Sequence, residues 1–253
     1  MSHKNKTVVR SMDILNLFID HPELTFQEII DLSGIPKTSV YRMLSSLEEM
    51  QFLEKGPDLK YRLGLIFLQF GSLVSSRLDI RQIAYPIMKE LHDDVEEAIN
   101  LTIQHGKDET IYIEKIDLKQ KVRLYTAVGR KSPLYAGACS RIILAFWPDA
   151  KIKEYLENIE IIKYSNGTIT DKEKHYELIK RARTDGYTVS HSELENHTSE
   201  VAAPIFNHHG NVIAALSIAG MEANYQDEDI NVYSKKLIAA ADEISARLGY
   251  IKR

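Results

Sequence analysis

Apolar residues at helical spacing predict a first helix close to the N-terminus. Its apolar positions recur at Val8, Met12, Leu15 and Ile19. Pro22 then interrupts the pattern, and the residue before a proline avoids the helical conformation. The first helix should therefore end near Asp20.

A second, shorter helix should follow directly. Thr25 and Glu28 have the spacing of a capping box, in which the hydroxyl and the carboxylate each pair with a free backbone N–H group at the helix start. Its apolar residues are Phe26, Ile29 and Ile30. Gly34 supplies a turn after this helix, and Pro36 stands where a third helix can begin without losing a hydrogen bond.

The predicted third helix has two very different faces. Its apolar stripe consists of Val40, Met43, Leu44 and Leu47. The opposite side carries Thr38, Arg42 and Ser45, with Ser39, Tyr41 and Ser46 at its flanks. Because no carboxylate interrupts this side before Glu48, it can approach phosphates and base edges without repulsion. The pattern predicts a DNA recognition helix.

Two short strand-like runs follow the third helix. Residues 51–55 and 60–63 flank Gly56-Pro57-Asp58, a composition typical of a turn. Together they predict a β-hairpin that forms a wing. Three short helices can also serve as a protein-interaction module, but the wing favours DNA binding.

The remaining residues alternate between helical and strand-like patterns. The apolar helical stretch at 64–74 has more nonpolar surface than an isolated linker should expose, so we expect it to pack against a partner chain. Further elements are predicted as helices at 78–92 (despite Pro86), 170–184 (with a capping box of Thr170 and Glu173) and 227–248, and as strands at 99–104, 110–116 and 122–127 with three more after residue 186. Consecutive strands flanked by helices indicate an α+β fold.

Composition and charge narrow the function. A chain of 253 residues with 44% hydrophobic residues can bury two cores, and its apolar runs are too short to span a membrane. With no N-terminal signal stretch and a single cysteine, we expect a cytoplasmic protein. Residues 1–64 contain 8 Lys and Arg against 9 Asp and Glu, a net charge of −1. DNA binding should therefore be modest for one monomer and depend on a dimer.

Several segments resemble the IclR family of bacterial regulators. The segments are residues 9–15 (VRSMDIL), 35–44 (IPKTSVYRML), 61–64 (YRLG), 132–141 (SPLYAGACSR), 201–206 (VAAPIF) and 216–220 (LSIAG). Their order covers nearly the whole chain. The chain departs from the family at Ser140-Arg141, where members often have Gly-Lys, so the adjacent pocket could bind a different ligand group.

The resemblance implies a winged helix-turn-helix domain at 1–64, a linker helix at 65–78 and a GAF-like effector-binding domain at 79–253. It further implies a homodimer or tetramer that binds operator DNA, represses a catabolic operon and responds to a small organic acid such as a sugar or keto acid. The residues expected to contact DNA are Arg10, Thr25, Lys37, Thr38, Ser39, Tyr41, Arg42, Ser45, Lys60 and Arg62.

The effector site is expected around residues 137–140, which are small and open a helix. Free N–H groups at a helix start can bind a carboxylate. The family's effector contacts correspond here to Ala138, Cys139, Ser140, Ser190, Glu193, Glu200 and Ser217, with Leu124 and Tyr135 as apolar walls. Since a carboxylate lining such a pocket must pair with a cation or accept ligand hydroxyls, Glu200 suggests a sugar acid. These small residues could instead simply permit close packing of helix and sheet.

Three other functions compete with this interpretation. Cys139 could be an enzyme nucleophile if His191, His197, His208 or His209 served as its base, but no pattern fixes a histidine near it. The same histidines with Glu193 and Glu195 could hold a metal, although their spacing matches no familiar site. A sensor acting through protein partners would show no salt-dependent DNA binding. We assign no catalytic residue, cofactor or metal.

Overall fold

The computed structural model describes residues 5–75, 79–118 and 126–252. The chain divides into two compact units, residues 1–77 and residues 78–253. Among the described helices, none is both long and apolar enough to cross a membrane.

The N-terminal unit is a winged helix-turn-helix. Its elements are α1 (Lys6–Asp20), β1 (Leu24–Thr25), α2 (Phe26–Ser33), α3 (Lys37–Glu49), β2 (Leu53–Lys55), β3 (Lys60–Leu63) and α4 (Ile66–Ser75). The strands form a small antiparallel sheet in the order β1-β3-β2. The hairpin of β2 and β3 is the predicted wing, and α4 lies within the predicted linker.

The core of this unit corrects the predicted stripe of α1. Leu15 is buried as expected, but Val8, Met12 and Ile19 are exposed, and the other buried residues are Ile14 and Phe18. Because α1 carries apolar residues on more than one side, its spacing alone could not select the stripe that packs against the rest of the unit.

Local signals set the ends of α2. The Glu28 backbone N–H donates to the Thr25 hydroxyl at 3.3 Å, and the Thr25 N–H donates to the Glu28 carboxylate at 2.7 Å, which completes the predicted capping box. Gly34 ends the helix with a left-handed φ of 63°. The predicted stripe of α3 is buried, so its polar side faces outward.

Gly64 permits a close backbone approach at the end of the wing. A Cβ atom there would lie 2.0 Å from the Gln51 carbonyl oxygen, and the Gly64 N–H donates to the Phe52 carbonyl at 2.9 Å. No residue with a side chain could keep this geometry. Phe52 then packs against Phe67 and Phe70, with ring centroids 5.5 and 6.2 Å away.

The C-terminal unit is α+β, with a six-stranded antiparallel sheet in the order β6-β5-β4-β9-β8-β7. Its helices are α5 (Asp79–Val95), α6 (Ala138–Ala145), α7 (Asp149–Asn158), α8 (Lys172–Asp185) and α9 (Asp227–Arg247). Its strands are β4 (Ala98–His105), β5 (Glu109–Ile116), β6 (Lys131–Pro133), β7 (Thr188–His191), β8 (Thr198–Phe206) and β9 (Val212–Met221).

Alternation along the strands gives this sheet two different faces. Leu216 and Ile218 of β9 belong to the apolar core that includes α5 and α9. Ser217 points to the opposite face, where Asn100 of the neighbouring strand donates to its hydroxyl at 3.3 Å. Helices α6 and α8 cover parts of that second face, whose polar character prepares a binding site.

Two features differ from the predicted elements. Asp171, not Thr170, caps α8, because its carboxylate accepts the Lys174 N–H at 2.9 Å. Helix α7 and strand β6 were not predicted. Strand β6 has only three residues, whereas α7 has ten and carries Ile152, Tyr155 and Leu156 at helical spacing, a signal that was overlooked. The predicted strand at 122–127 falls mainly on residues 119–125, which lie outside the described residues, as does Leu124.

Candidate functional site

The outward side of α3 presents the predicted recognition residues. Thr38, Tyr41, Arg42 and Ser45 are exposed, and Ser39 is half-buried. Tyr41 is 67% exposed although its ring meets the edge of Phe26 in α2. Helix α3 therefore exposes a polar, cationic side, and the buried apolar stripe on its other side holds the helix in place.

A groove of about 460 Å³ runs between the start of α1 and the outer side of α3. The described residues that line it are Lys6, Thr7, Arg10, Ser11, Ser39, Tyr41, Arg42, Met43, Ser45 and Ser46. None of these carries a carboxylate, so Arg10 and Arg42 give the groove an uncompensated positive charge. Lys6 was not predicted as part of this site, because helical spacing within α1 cannot show that the first turn of α1 faces α3.

The wing cations are in a different situation. Lys60 and Arg62 both form ion pairs with Glu23, and Arg62 also donates to Asp58 at 2.6 and 3.1 Å. The hydrogen bond from Arg62 lowers the pKa of Asp58 to about 2. Two predicted DNA contacts are thus held by carboxylates of the same unit. Thr25 is another predicted DNA contact, and its hydroxyl is part of the capping box of α2.

The C-terminal unit contains a small cavity of about 60 Å³ beside the start of α6. It has room for roughly four to six ordered waters. The described residues that line it are Tyr112, Thr126, Arg130, Ser132, Gly137, Ser190, Glu193, Leu194, Glu195, Thr198, Ser199, Glu200 and Ala219. A cavity of this size suits a small polar molecule.

Only part of the predicted effector set lines this cavity. Ser190, Glu193 and Glu200 do so. Ala138, Cys139, Ser140, Ser217 and Tyr135 are buried beside or behind it and are not among the lining residues. Ser140 instead shares a 2.9 Å hydrogen bond with Thr110. Residues 137–140 therefore border the cavity chiefly through Gly137.

The N–H groups at the start of α6 are not free, which corrects the sequence prediction. The Ala138 and Cys139 N–H groups donate to the Glu200 carboxylate at 3.0 and 3.2 Å, and the Gly137 N–H donates to Glu193 at 3.0 Å. The protein's own carboxylates occupy the position predicted for a ligand carboxylate. A helix start stabilises these negative charges.

Arg141 explains how Glu193 is held. Its buried guanidinium pairs with Glu193 and donates to the Val189 carbonyl at 2.8 Å. Arg141 is therefore a structural residue of this site, at the position where the sequence departs from the common Gly-Lys. Glu200 has no such cation among its described partners.

Glu200 also leaves one oxygen unused. It is 8% exposed, and its Oε1 atom accepts no hydrogen bond from the described residues. A buried acceptor without a donor is costly, and a ligand donor in the cavity would satisfy it. Burial, followed by the Glu200 charge, raises the pKa of Tyr112 well above its usual value, so this lining phenol stays protonated.

The alternative chemistries find little support. Burial raises the pKa of the Cys139 thiol well above its usual value, and the Glu200 carboxylate raises it further, so no reactive thiolate is present at neutral pH. The described residues contain no cluster of three or more histidines, cysteines or carboxylates suited to a metal. His208 and His209 lie in the hairpin turn between β8 and β9.

Four lining residues were not predicted from the sequence, namely Tyr112, Thr126, Arg130 and Ser132. A signal existed for Tyr112, because β5 alternates Thr110, Tyr112 and Glu114 with isoleucines, which places polar side chains on one face of the sheet. Arg130 gave no such signal, since it precedes a strand of only three residues.

Two family models match the chain, and they cover most of it. Residues 7–57 match the IclR helix-turn-helix domain, and residues 72–246 match the model of the bacterial transcriptional regulator IclR C-terminal domain. The chain is 53% identical over 250 residues to the HTH-type transcriptional regulator KipR of Bacillus subtilis (strain 168), covering 99% of this chain and 100% of that protein.

Solved structures share the fold over nearly the whole length. The Thermotoga maritima IclR structure aligns with a TM-score of 0.80 and 31% identity, covering 96% of this chain and 99% of that one. An IclR homologue from Microbacterium hydrocarbonoxydans, complexed with 4-hydroxybenzoate, aligns with a TM-score of 0.80 and 25% identity over the same shares of the two chains.

Proposed function

This chain belongs to the IclR family of DNA-binding transcriptional regulators, and from that premise we propose that it represses a catabolic operon in the cytoplasm until a small organic acid binds its effector domain. It is a regulator and not an enzyme. The observation that carries the ligand proposal is the small cavity beside α6, whose lining includes both Arg130 and the half-satisfied carboxylate of Glu200.

On the DNA side, the recognition helix α3 enters the major groove. Thr38, Ser39, Tyr41, Arg42 and Ser45 contact bases and phosphates, while Lys37 and Arg10 contact the backbone from the start of α3 and from α1. The carboxylate-free groove between α1 and α3 supports this assignment, because phosphates can approach it without meeting a like charge. Thr25 and the wing residues Lys60 and Arg62 remain proposed backbone contacts.

On the ligand side, the cavity favours an acid that also carries a hydroxyl group. Arg130 offers a cation for the acid group, and Glu200 Oε1 offers an acceptor for the hydroxyl. Ser190 and Glu193 complete the polar wall. The 4-hydroxybenzoate bound to the Microbacterium homologue is also a hydroxylated acid. Within this class we propose a sugar acid, because ten of the thirteen described residues that line the cavity carry polar side chains. The cavity has to widen when a molecule of this size binds.

Ala138, Cys139, Ser140, Ser217 and Tyr135 act behind the cavity. Their side chains support the start of α6 and do not touch the ligand. The backbone N–H groups of Ala138 and Cys139 act on the site indirectly, because they hold the Glu200 carboxylate. Leu124 stays a proposed apolar wall.

Oligomer formation is proposed from exposed apolar surface. Leu65, Leu68 and Leu73 in and before α4 are 75%, 73% and 54% exposed. Val8 and Met12 of α1 are also exposed. Nonpolar surface of this kind is typical of an interface between chains. A dimer would place two recognition helices on a pseudo-palindromic operator.

A gel-shift assay tests the proposal as a whole. The purified protein is titrated onto the DNA upstream of its own gene, alone and with a panel of sugar acids and keto acids. Specific binding that one acid releases would support repressor, operator and ligand class together. Binding that an acid strengthens would overturn the proposal that the ligand releases the protein from DNA. If no upstream DNA bound in a salt-dependent way, the DNA-reading assignment would fail and a sensor for protein partners would replace it.

A further inference from the structure

The wing contains a closed cluster of four charged residues. The pairing of β1 with β3 places Leu24 opposite Tyr61, which brings Glu23 beside the wing strand. Glu23 reaches Lys60 with one carboxylate oxygen and Arg62 with the other. Asp58 holds Arg62 from the turn of the hairpin. The side chains of all four residues are 35–42% exposed.

The charges within this wing cluster cancel. Two cations face two carboxylates, whereas the groove between α1 and α3 has cations and no carboxylate. The ion pairs raise the pKa of both Lys60 and Arg62 and lower that of Glu23, so all stay charged across the physiological range. Lys60 and Arg62 can therefore offer their positive charge to DNA only if the ion pairs with Glu23 or Asp58 break.

We propose that Glu23 is a built-in competitor of DNA phosphate for Lys60 and Arg62, and that it limits the affinity of the wing for DNA. The proposal rests on the assignment of these two cations to the DNA backbone. Because exposed ion pairs are weak, a phosphate can replace Glu23, but the carboxylate stays close and repels the incoming phosphate. Glu23 thus keeps DNA binding weak enough for a ligand to release it.

The test replaces Glu23 by glutamine in the full chain. Glu23→Gln keeps the size and hydrogen-bonding capacity of the side chain and removes its charge. On a short random-sequence duplex between about 50 and 200 mM salt, the plot of log affinity against log salt should steepen by about one unit. At the low end of this range the affinity should rise about two- to fivefold.

A control and a second background isolate the cause. Glu49 is an exposed carboxylate at the last residue of α3, and Glu49→Gln should leave the salt slope unchanged. In a Lys60→Gln/Arg62→Gln background, the gain from Glu23→Gln should shrink to the small effect of removing one nearby negative charge, because the cations that it would release are gone. Asp58→Asn should act in the same direction as Glu23→Gln, and it serves if Glu23→Gln does not fold.

The outcomes separate this inference from the proposed function. If wild type binds DNA but Glu23→Gln and Asp58→Asn bind with unchanged or lower affinity, Glu23 positions the wing instead of competing, and the inference is overturned. An equal gain in the Lys60→Gln/Arg62→Gln background also overturns it, since the gain would then be a general charge effect. If the wild type binds no DNA at all, the proposed function fails first.

Discussion

The groove between α1 and α3 and the cavity beside α6 differ in how their charges are compensated. The groove between α1 and α3 gathers cations without carboxylates and lies open to solvent. The cavity gathers carboxylates, and the protein compensates them internally: Arg141 pairs with Glu193, and the start of α6 holds Glu200. An uncompensated positive charge suits a long polyanion, whereas a site with nearly balanced charges suits a small molecule with matched polar groups.

The largest effect, a loss of stability, is expected when the buried ion pair between Arg141 and Glu193 is broken. Arg141→Met leaves Glu193 buried without its cation, so the free energy of unfolding of the full chain should fall by about 3–5 kcal/mol in urea titrations. Arg181→Met provides the control, because Arg181 is 77% exposed and, among the described residues, pairs with Asp185 alone. It should change stability by less than about 0.5 kcal/mol. Equal effects would remove Arg141 from its structural role.

The next largest effect is a loss of DNA binding, expected when a cation is removed from the groove between α1 and α3. Arg42→Ala removes a cation from the carboxylate-free groove and should weaken operator binding by about 5- to 150-fold, equivalent to ~1–3 kcal/mol. Acid binding measured without DNA should stay as in wild type. Arg247→Ala removes an exposed arginine of α9 and should not alter operator affinity. Undiminished operator binding by Arg42→Ala would refute the assigned reading face.

A smaller effect is expected when the charge of Glu200 is removed. Glu200→Gln keeps an acceptor for the Ala138 and Cys139 N–H groups but weakens the acceptor offered to a ligand hydroxyl. Isothermal titration with the acid that releases wild type from DNA should show about tenfold weaker binding, the scale of one hydrogen bond to a charged group. Glu195→Gln neutralises another lining carboxylate and should have less effect. Unchanged affinity in Glu200→Gln would exclude Glu200 from ligand contact.

The smallest effect concerns pH and the buried His175 of α8. Burial lowers its pKa, although the Ile169 carbonyl accepts a 2.8 Å hydrogen bond from its ring. The unfolded chain therefore binds a proton more readily than the folded chain, and stability is lost as pH falls below the ordinary histidine pKa of about 6.5. His175→Gln should flatten the pH dependence of the melting temperature between about pH 7 and pH 5. An identical pH dependence would exclude this histidine as a source.

The DNA-binding half was easier to predict from the sequence than the cavity. The α3 stripe, the capping box of α2 and the wing all depend on residues a few positions apart. The apolar stripe predicted for α1 was wrong, because local spacing could not show which of several apolar sides of this helix is buried. Where short-range patterns set the structure, residue types alone are informative.

The cavity depends on contacts between distant parts of the chain. Residues 137–140 were correctly expected to open a helix, but Glu200 reaches Ala138 from 62 positions away. No local pattern shows that this carboxylate occupies the start of α6. Nothing in the sequence near Arg130 indicates that this residue lines the cavity. The internal compensation of charge appears only when β8 and α6 are brought together.

The most direct test of the account is to measure acid binding twice, with the protein alone and with the protein saturated by its operator. If the cavity controls DNA binding, coupling between the two sites is reciprocal, so operator must weaken acid binding by the same factor by which the acid weakens operator binding. We expect isothermal titration to show that common factor, within about 5- to 150-fold. Equal acid affinity in the two titrations, together with a gel shift that the acid still releases, would contradict the account, because release would then not arise from binding in the cavity.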